Sequence, residues 1–256
     1  MGDKAVMAAT IVLTRSAEDN APLRRELAAR GHVVLEVPTA CVRTIGPEPS
    51  TDVVRQWAAQ AQAIAFTSRN GVQAFCRLLG AEPLLAALAG GALMAAVGRA
   101  TAQVLAEAGI APVLALTEPM TGSHLAEALA DRLETQPDAW VLAVQGRHAR
   151  PELVQGLALR GVPSRVAVVY ENAVPEPPAA ELLRACALAD AVYVAAPSAA
   201  DRLLAWAPEL RDRAFVAIGP TTAAELRRNH GIEASQIAAN PGLAAAVDAI
   251  ERALAA

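Results

Sequence analysis

Met94-Ala95-Ala96-Val97-Gly98-Arg99-Ala100-Thr101-Ala102 and Phe215-Val216-Ala217-Ile218-Gly219-Pro220-Thr221-Thr222-Ala223 spell one pattern twice. In each copy a short apolar run reaches a glycine, passes to a hydroxyl residue and enters a helix. Leu105 follows Thr101 by four residues, as Leu226 follows Thr222, and the helices close at Gly109-Ile110 and Gly231-Ile232. A strand that turns through glycine into a helix is how an α/β sheet presents free backbone N–H groups to an anion. Two copies imply two such sheets facing a shared ligand.

The repetition extends well beyond this stretch. Leu23, Leu27, Arg30 and Gly31 return with the same spacing as Leu153, Leu157, Arg160 and Gly161. Residues 63–72 (AIAFTSRNGV) parallel 191–200 (AVYVAAPSAA), which sets Ser68 opposite Ala196 and Asn70 opposite Ser198. More loosely, 121–129 answer 240–249. The blocks keep one order in both halves, so a tandem duplication is the economical reading.

Bulk properties fit a protein of enzyme size. The 256 residues allow one large or two ordinary α/β domains, each able to bury a core. A net charge of -4 with no basic stripe argues against a nucleic-acid partner. No apolar run approaches the roughly 20 residues of a membrane helix, so no membrane partner is expected. The amino terminus, with Lys4 ahead of a strand-like apolar segment, makes a poor signal peptide. Cys41, Cys76 and Cys186 are odd in number, far apart and set among apolar neighbours. They read as small buried hydrophobes in a reducing cytoplasm.

Strands are expected at 10–14, 33–37, 63–67, 93–97, 113–116, 140–144, 165–170, 191–195, 215–218 and 236–238, with helical pattern in nearly every gap. Such alternation means α/β architecture, with parallel sheets covered on both faces. Asn20 before Pro22, Gly219 before Pro220 and Asn240 before Pro241 read as helix caps with proline in the first turn. Gly31, Gly80, Gly109, Gly161 and Gly231 read as helix stops. Ligands of open parallel sheets lie beyond the carboxyl ends of the strands, which points to the loops after Thr14, Thr67, Val97, Val144, Ala195 and Ile218. Two extended segments, 33–45 (VVLEVPTACVRTI) and 165–174 (RVAVVYENAV), interrupt the alternation. They could pair antiparallel as a two-stranded connector, or each could be a last sheet strand followed by a loop.

The chain resembles the uroporphyrinogen-III synthase family along essentially its whole length. The resemblance rests on Thr14-Arg15, on Phe66-Thr67-Ser68-Arg69-Asn70-Gly71-Val72, on Val97-Gly98 with Thr101-Ala102, and on Gly146 after the 141–144 strand. Val169-Tyr170, Pro197-Ser198 and Ile218-Gly219-Pro220-Thr221-Thr222-Ala223 complete it. No single motif is specific, but their order and spacing are. It implies two flavodoxin-like domains: 1–38 with 173–256, discontinuous in sequence, and 43–167. Strands within 33–45 and 165–174 would form the linker between them. Nothing in the periodicity alone indicates that exchange of segments.

The substrate the resemblance implies is hydroxymethylbilane, a linear tetrapyrrole rich in carboxylates, which the family dehydrates and closes with inversion of the terminal ring. A polyanion normally asks for many Lys and Arg, yet this chain is acidic overall. Helix amino termini supply donors and partial positive charge instead. The binding residues expected on this basis are Ser68, Arg69, Asn70, Gly98, Thr101, Gly146, Arg147, Ser198, Ala199, Thr221 and Thr222, with Arg15, Arg69, Arg99 and Arg147 as point charges.

Tyr170 is the candidate for side-chain chemistry, because a phenol beside the departing hydroxyl can donate a hydrogen bond or a proton. Packed at a strand end with a wet hydroxyl, it would have a purely structural role. Capping alone likewise accounts for any one of Ser68, Ser198, Thr101, Thr221 and Thr222. His32, His124, His148 and His230 share no ligand spacing, and no glycine-rich phosphate loop follows a strand, so no metal or other cofactor is expected. The chain departs from the usual family pattern at Gln145, where Arg is common, and at Ala195-Ala196, where hydroxyl residues are frequent. The expected protein is a cytoplasmic monomer in transient contact with the preceding pathway enzyme. The rival is a non-catalytic two-domain binding protein for a small polycarboxylate.

Overall fold

The computed structural model describes residues 8–111, 113–116 and 120–256; Lys4, used above to judge the amino terminus, lies outside them. The chain forms two compact units, one made of the chain up to Cys41 together with Ala173–Ala256, the other of Val42–Asn172. Both are α/β with parallel sheets. Among the described residues no single helix is long and apolar enough to cross a membrane.

In the first unit, β1 (Thr10–Leu13), β2 (Val33–Glu36), β9 (Ala191–Val194), β10 (Ala214–Ala217) and β11 (Gln236–Ile237) line up in the order β11-β10-β9-β1-β2. Every neighbouring pair is parallel. Alternation along the strands divides the side chains between two cores. Val12, Val192, Val194 and Phe215 face one side, while Ile11, Leu13, Tyr193 and Val216 face the other. Sheets buried on both faces read as apolar runs, as these strands do.

The second unit holds β3 (Cys41–Glu48), β4 (Ala63–Phe66), β5 (Leu93–Ala96), β6 (Val113–Ala115), β7 (Val141–Gly146) and β8 (Ser164–Ala173), in the order β3-β8-β7-β4-β5-β6. From β8 through to β6 the pairing is parallel. Ile64, Phe66, Leu142 and Val144 fill one core, where Phe66 meets Phe75 edge-on at 6.0 Å. Replacing Phe66 by Ala would cost about 3–5 kcal/mol. The other face is lined by small residues, Ala63, Ala65, Ala95 and Ala143, all fully buried. Two helices, α6 (Gly122–Leu133) and α7 (Glu152–Leu159), lie over it. At Gly156 a Cβ would come within 2.7 Å of Ala126 Cβ, so glycine is what lets these helices approach so closely.

Counting β1, β2, β9, β10, β11 as strands one to five gives the order 2-1-3-4-5, and counting β7, β8, β4, β5, β6 the same way gives that order again. The two sheets share one plan, in which the second unit's first two strands come last in its sequence. The register agrees as well, with Ile11 opposite Val34 and Val141 opposite Ser164. This is the duplication that Leu23/Leu153 and Ser68/Ala196 pointed to.

Each expected strand forms, most within one residue of the expected ends. All five glycine stops have positive φ, from 67° to 89°. Some expectations need correcting. Segment 33–45 is two strands: β2 lies in the first sheet beside β1, and β3 begins only at Cys41. Segment 165–174 belongs to β8 up to Ala173, and that strand pairs with β7 from Ser164 to Tyr170 and also borders β3. Cys41 contacts Ala173 and Arg43 contacts Glu171, so one strand ascends as the other descends.

The first helix, α1 (Ala17–Ala29), starts ahead of Asn20. Ser16 Oγ accepts the Asp19 N–H at 3.2 Å and adds a turn, leaving Asn20 buried inside. Likewise Asn240 Oδ1 accepts the Gly242 N–H in a turn, and α11 (Leu243–Leu254) begins after it. Of the cysteines only Cys186 is fully buried, its thiol pushed up to about 11 by desolvation and then by Glu209, while Cys41 and Cys76 are half-buried.

Candidate active site

In the Val42–Asn172 unit the polar residues gather where β7 and β4 end. This is the switch point of the strand order, where the flanking connections run to opposite sides and leave a crevice. Ser68 caps α3 (Arg69–Leu79): its Oγ accepts the Gly71 N–H at 3.1 Å. The same Oγ lies 2.9 Å from the Tyr170 hydroxyl. The phenol is thereby anchored at the start of a helix.

The backbone around the ring is shaped to admit it. A β-bulge between Gln145 and Gly146 shifts the register so that Gly146 stands opposite Tyr170. A Cβ on Gly146 would lie 2.6 Å from Tyr170 Cζ, so the ring rests directly on glycine backbone. Arg147 then donates its N–H to the Tyr170 carbonyl at 2.9 Å. Next to the bulge, Gln145 Oε1 is buried with no partner among the described residues, an acceptor left open.

Of the expected site residues in this unit, Ser68, Gly146, Arg147 and Tyr170 come together by direct contact. Arg69 and Asn70 occupy the first turn of α3. Gly98 caps α5 (Arg99–Glu107) without a side-chain bond, and Thr101 sits buried in that helix's first turn. Arg99 is exposed and has no ion-pair partner among the described residues. Arg147 is already engaged: its Nε donates to Glu171 Oε2 at 2.9 Å and its Nη2 to Glu48 Oε1 at 2.8 Å. Arg43 Nε donates to Glu171 Oε1 at 3.0 Å. These bonds, that from Arg43 foremost, hold the Glu171 carboxyl below the usual carboxylate range. Sequence reasoning missed Glu48, Arg43 and Glu171; for Arg43 and Glu171 the available signal was a charged residue on each of the two extended segments, and Glu48 lies beyond them.

In the other unit, Arg15 is exposed and lies 3.6 Å from Asp19. Thr14, which follows β1, is buried. Its Oγ1 donates to the Tyr193 carbonyl at 3.0 Å and its carbonyl accepts from Thr39 Oγ1. Helix α9 (Pro197–Trp206) starts at Ala196 with no side-chain cap, and α10 (Pro220–His230) starts at Gly219 in the same way. Ser198 and Thr221 are exposed in these first turns, and Ala199 and Thr222 are buried. The unbonded N–H groups of such turns suit an anion. Cap roles for Ser198, Thr101, Thr221 and Thr222 do not hold, because each lies inside its helix. Among the described residues no three His, Cys, Asp or Glu side chains converge as a metal shell requires.

Comparison with known proteins bears on the fold and the family of the chain. The chain is similar to a uroporphyrinogen-III synthetase from Helicobacter pylori, with 21% identity, TM-score 0.60, and coverage of 94% of this chain and 97% of that one. It is also similar to a mutant uroporphyrinogen III synthase from Thermus thermophilus, with 20% identity, TM-score 0.52, and coverage of 97% and 99%. At these identities the likeness speaks for the fold. No curated protein matches the sequence. The family model described as uroporphyrinogen-III synthase HemD matches residues 21–248, nearly the full length, and the chain belongs to the uroporphyrinogen-III synthase family.

Proposed function

We propose that Tyr170 and the helix starts around it carry out the family's reaction. The chain is a cyclising lyase of tetrapyrrole biosynthesis. In the proposed mechanism, hydroxymethylbilane loses its terminal hydroxyl while the Tyr170 phenol, fixed by Ser68, donates to the departing oxygen. A general acid at that point relieves the negative charge that builds as the C–O bond breaks. In each unit taken by itself, the helix starts, those of α3 and α5 in one and of α9 and α10 in the other, offer backbone N–H groups to carboxylates, with Arg15, Arg69 and Arg99 adding charge. Much of the acceleration would come from holding the flexible bilane in its closing geometry.

The single observation that carries this reading is the 2.9 Å contact between Tyr170 and Ser68 beside a glycine that leaves room for the ring. The two units are read as flavodoxin-like domains, 1–38 with 173–256 and 43–167, and the β3–β8 pair as the connector. Their common 2-1-3-4-5 order supports that. A cytoplasmic monomer meeting the preceding enzyme only transiently completes the proposal, since a bilane that closes spontaneously is best served by short transit. The binding-protein alternative is not favoured, given the family membership.

Incubating the protein with enzymatically generated hydroxymethylbilane and resolving the isomers tests the reading. The III isomer is expected without added metal, nucleotide or flavin, and the spontaneous I isomer alone would overturn it.

A further inference from the structure

Beside Tyr170 runs a ladder of charges that the mechanism above leaves unused. It passes from Glu48 to Arg147, on to Glu171 and then to Arg43. Glu171 is the most enclosed member, its side chain only 16% exposed, and both of its oxygens are taken. Arg147 uses two of its donor positions on these protein carboxylates, and its backbone N–H holds the Tyr170 carbonyl. A guanidinium so committed is a poor candidate for a further carboxylate on the substrate.

Adjacent residues of a strand point to opposite faces, so Tyr170 and Glu171 are two ends of one lever across β8. The hydroxyl stands well out from the strand axis, and a rotation of β8 by about 10° carries it about 1 Å, enough to spoil alignment with a reacting group. Such a rotation must also pull Glu171 off its two arginines. Isolated surface ion pairs contribute little, but a linked set with a forked arginine fixes geometry.

We propose that Arg147 and Glu171 are positioning residues that hold Tyr170 in register for the reaction, rather than ligands of the substrate. The proposal rests on the reading of Tyr170 as the donor to the departing hydroxyl.

The chain has two tyrosines, and the other, Tyr193, is buried in the first sheet. Labelling with 3-fluorotyrosine therefore gives two ¹⁹F signals, assigned by Tyr170→Phe. In the protein without substrate, Glu171→Gln should shift or broaden the Tyr170 signal and leave that of Tyr193 in place. With enzymatically generated bilane, Glu171→Gln should lower kcat for the III isomer about ten-fold with KM almost unchanged. Arg147→Lys, which keeps the charge and the backbone N–H but loses the fork, should behave alike. Glu48→Gln, at the end of the ladder beyond Arg147 and more exposed than Glu171, should show the same pattern more weakly, and it carries the test if Glu171→Gln does not fold. A raised KM in Arg147→Lys with the Tyr170 signal unmoved would make the arginine a substrate ligand and overturn the proposal. Unchanged turnover in Glu171→Gln, whether or not the signal moves, would overturn it equally. Full turnover in Tyr170→Phe breaks the reaction reading instead, and the substrate-free signal keeps the two failures apart.

Discussion

The two units share a backbone plan and differ in what they place on it. Ser68 before α3 has φ −158° and ψ 154°; Ala196 before α9 has φ −161° and ψ 154°. Gly98 and Gly219, ahead of α5 and α10, are likewise both extended. Carrying the Leu23/Leu153 correspondence along the chain sets Ala40 at the place of Tyr170 and Ser16 at that of Gly146. The Val42–Asn172 unit thus has a hydroxyl cap, a phenol and a glycine seat where its counterpart has two alanines and a serine. Both units keep helix starts that can serve an anion, and only the Val42–Asn172 unit carries the proposed side-chain donor. Duplication supplied the scaffold twice, and the proposed chemistry needs it once.

The sharpest way to break this asymmetry is Tyr170→Phe, which keeps the ring and removes the proton. If the phenol assists departure of the hydroxyl, turnover falls by up to ~10²- to 10⁴-fold with binding little changed. A change in the other unit, Thr222→Ala, should cost only the several-fold that one hydrogen bond is worth, about 1 kcal/mol. Isomer-resolved assays of both variants decide the matter. Wild-type turnover in Tyr170→Phe together with loss of reaction in Thr222→Ala would move the chemistry to the other unit.

Gly146→Ala approaches the same effect without touching the phenol. Its Cβ would lie 2.6 Å from Tyr170 Cζ, and an aromatic ring bonded to Ser68 can give way only by leaving its seat. A displacement of about 1 Å at a reacting group costs on the order of 10²-fold. A variant with normal turnover and a normal fold by circular dichroism would show that the seat does not matter.

Much of the scaffold was legible because local physics writes it locally. β-branched runs marked the strands, and five glycines marked turns that an L side chain rarely makes. The loops of the proposed site were sought at strand ends, and Tyr170, Ser68 and Gly146, singled out by their resemblance to family motifs, lie in contact there. What escaped notice depends on competition or on distance. Pro22 and Pro241 suggested helix starts that Ser16 and Gly242 occupy instead. The charge ladder depends on the register of β3 against β8, strands remote in sequence, which no local pattern encodes. Arg147 read as a free loop cation because its partners, Glu48 and Glu171, arrive only with that register.

The difference between the units also predicts a gain. Ala196 already has the extended backbone of a cap residue, and α9 lacks a side-chain partner for its first N–H groups. Ala196→Ser should add a cap worth about 0.5–1 kcal/mol, seen as a higher urea midpoint. If those N–H groups hold substrate carboxylates, the serine competes for them and KM rises. A stabilised variant with unchanged KM would remove α9 from the binding surface and leave the rest of the proposal intact.

The smallest expected effect separates the ladder from the caps by pH. The arginines, Arg43 foremost, hold the Glu171 carboxyl below its ordinary value in the folded chain. The folded state therefore binds this proton less readily than the unfolded chain does. A depressed carboxylate contributes stability that is fully present above the unfolded value near 4.5 and is lost as pH falls through the folded one. Wild type should thus exceed Glu171→Gln in stability at neutral pH, with the gap closing below about pH 4.5. The pair is partly open to water, so screening keeps the gap small and high salt should shrink it further. Urea titrations of both proteins at pH 7 and across the acid range measure it. Ser68→Ala serves as the contrast, because losing a neutral cap involves no proton and its deficit should stay constant over the same range. A Glu171→Gln gap independent of pH would mean that the carboxylate contributes through shape alone and not through its charge.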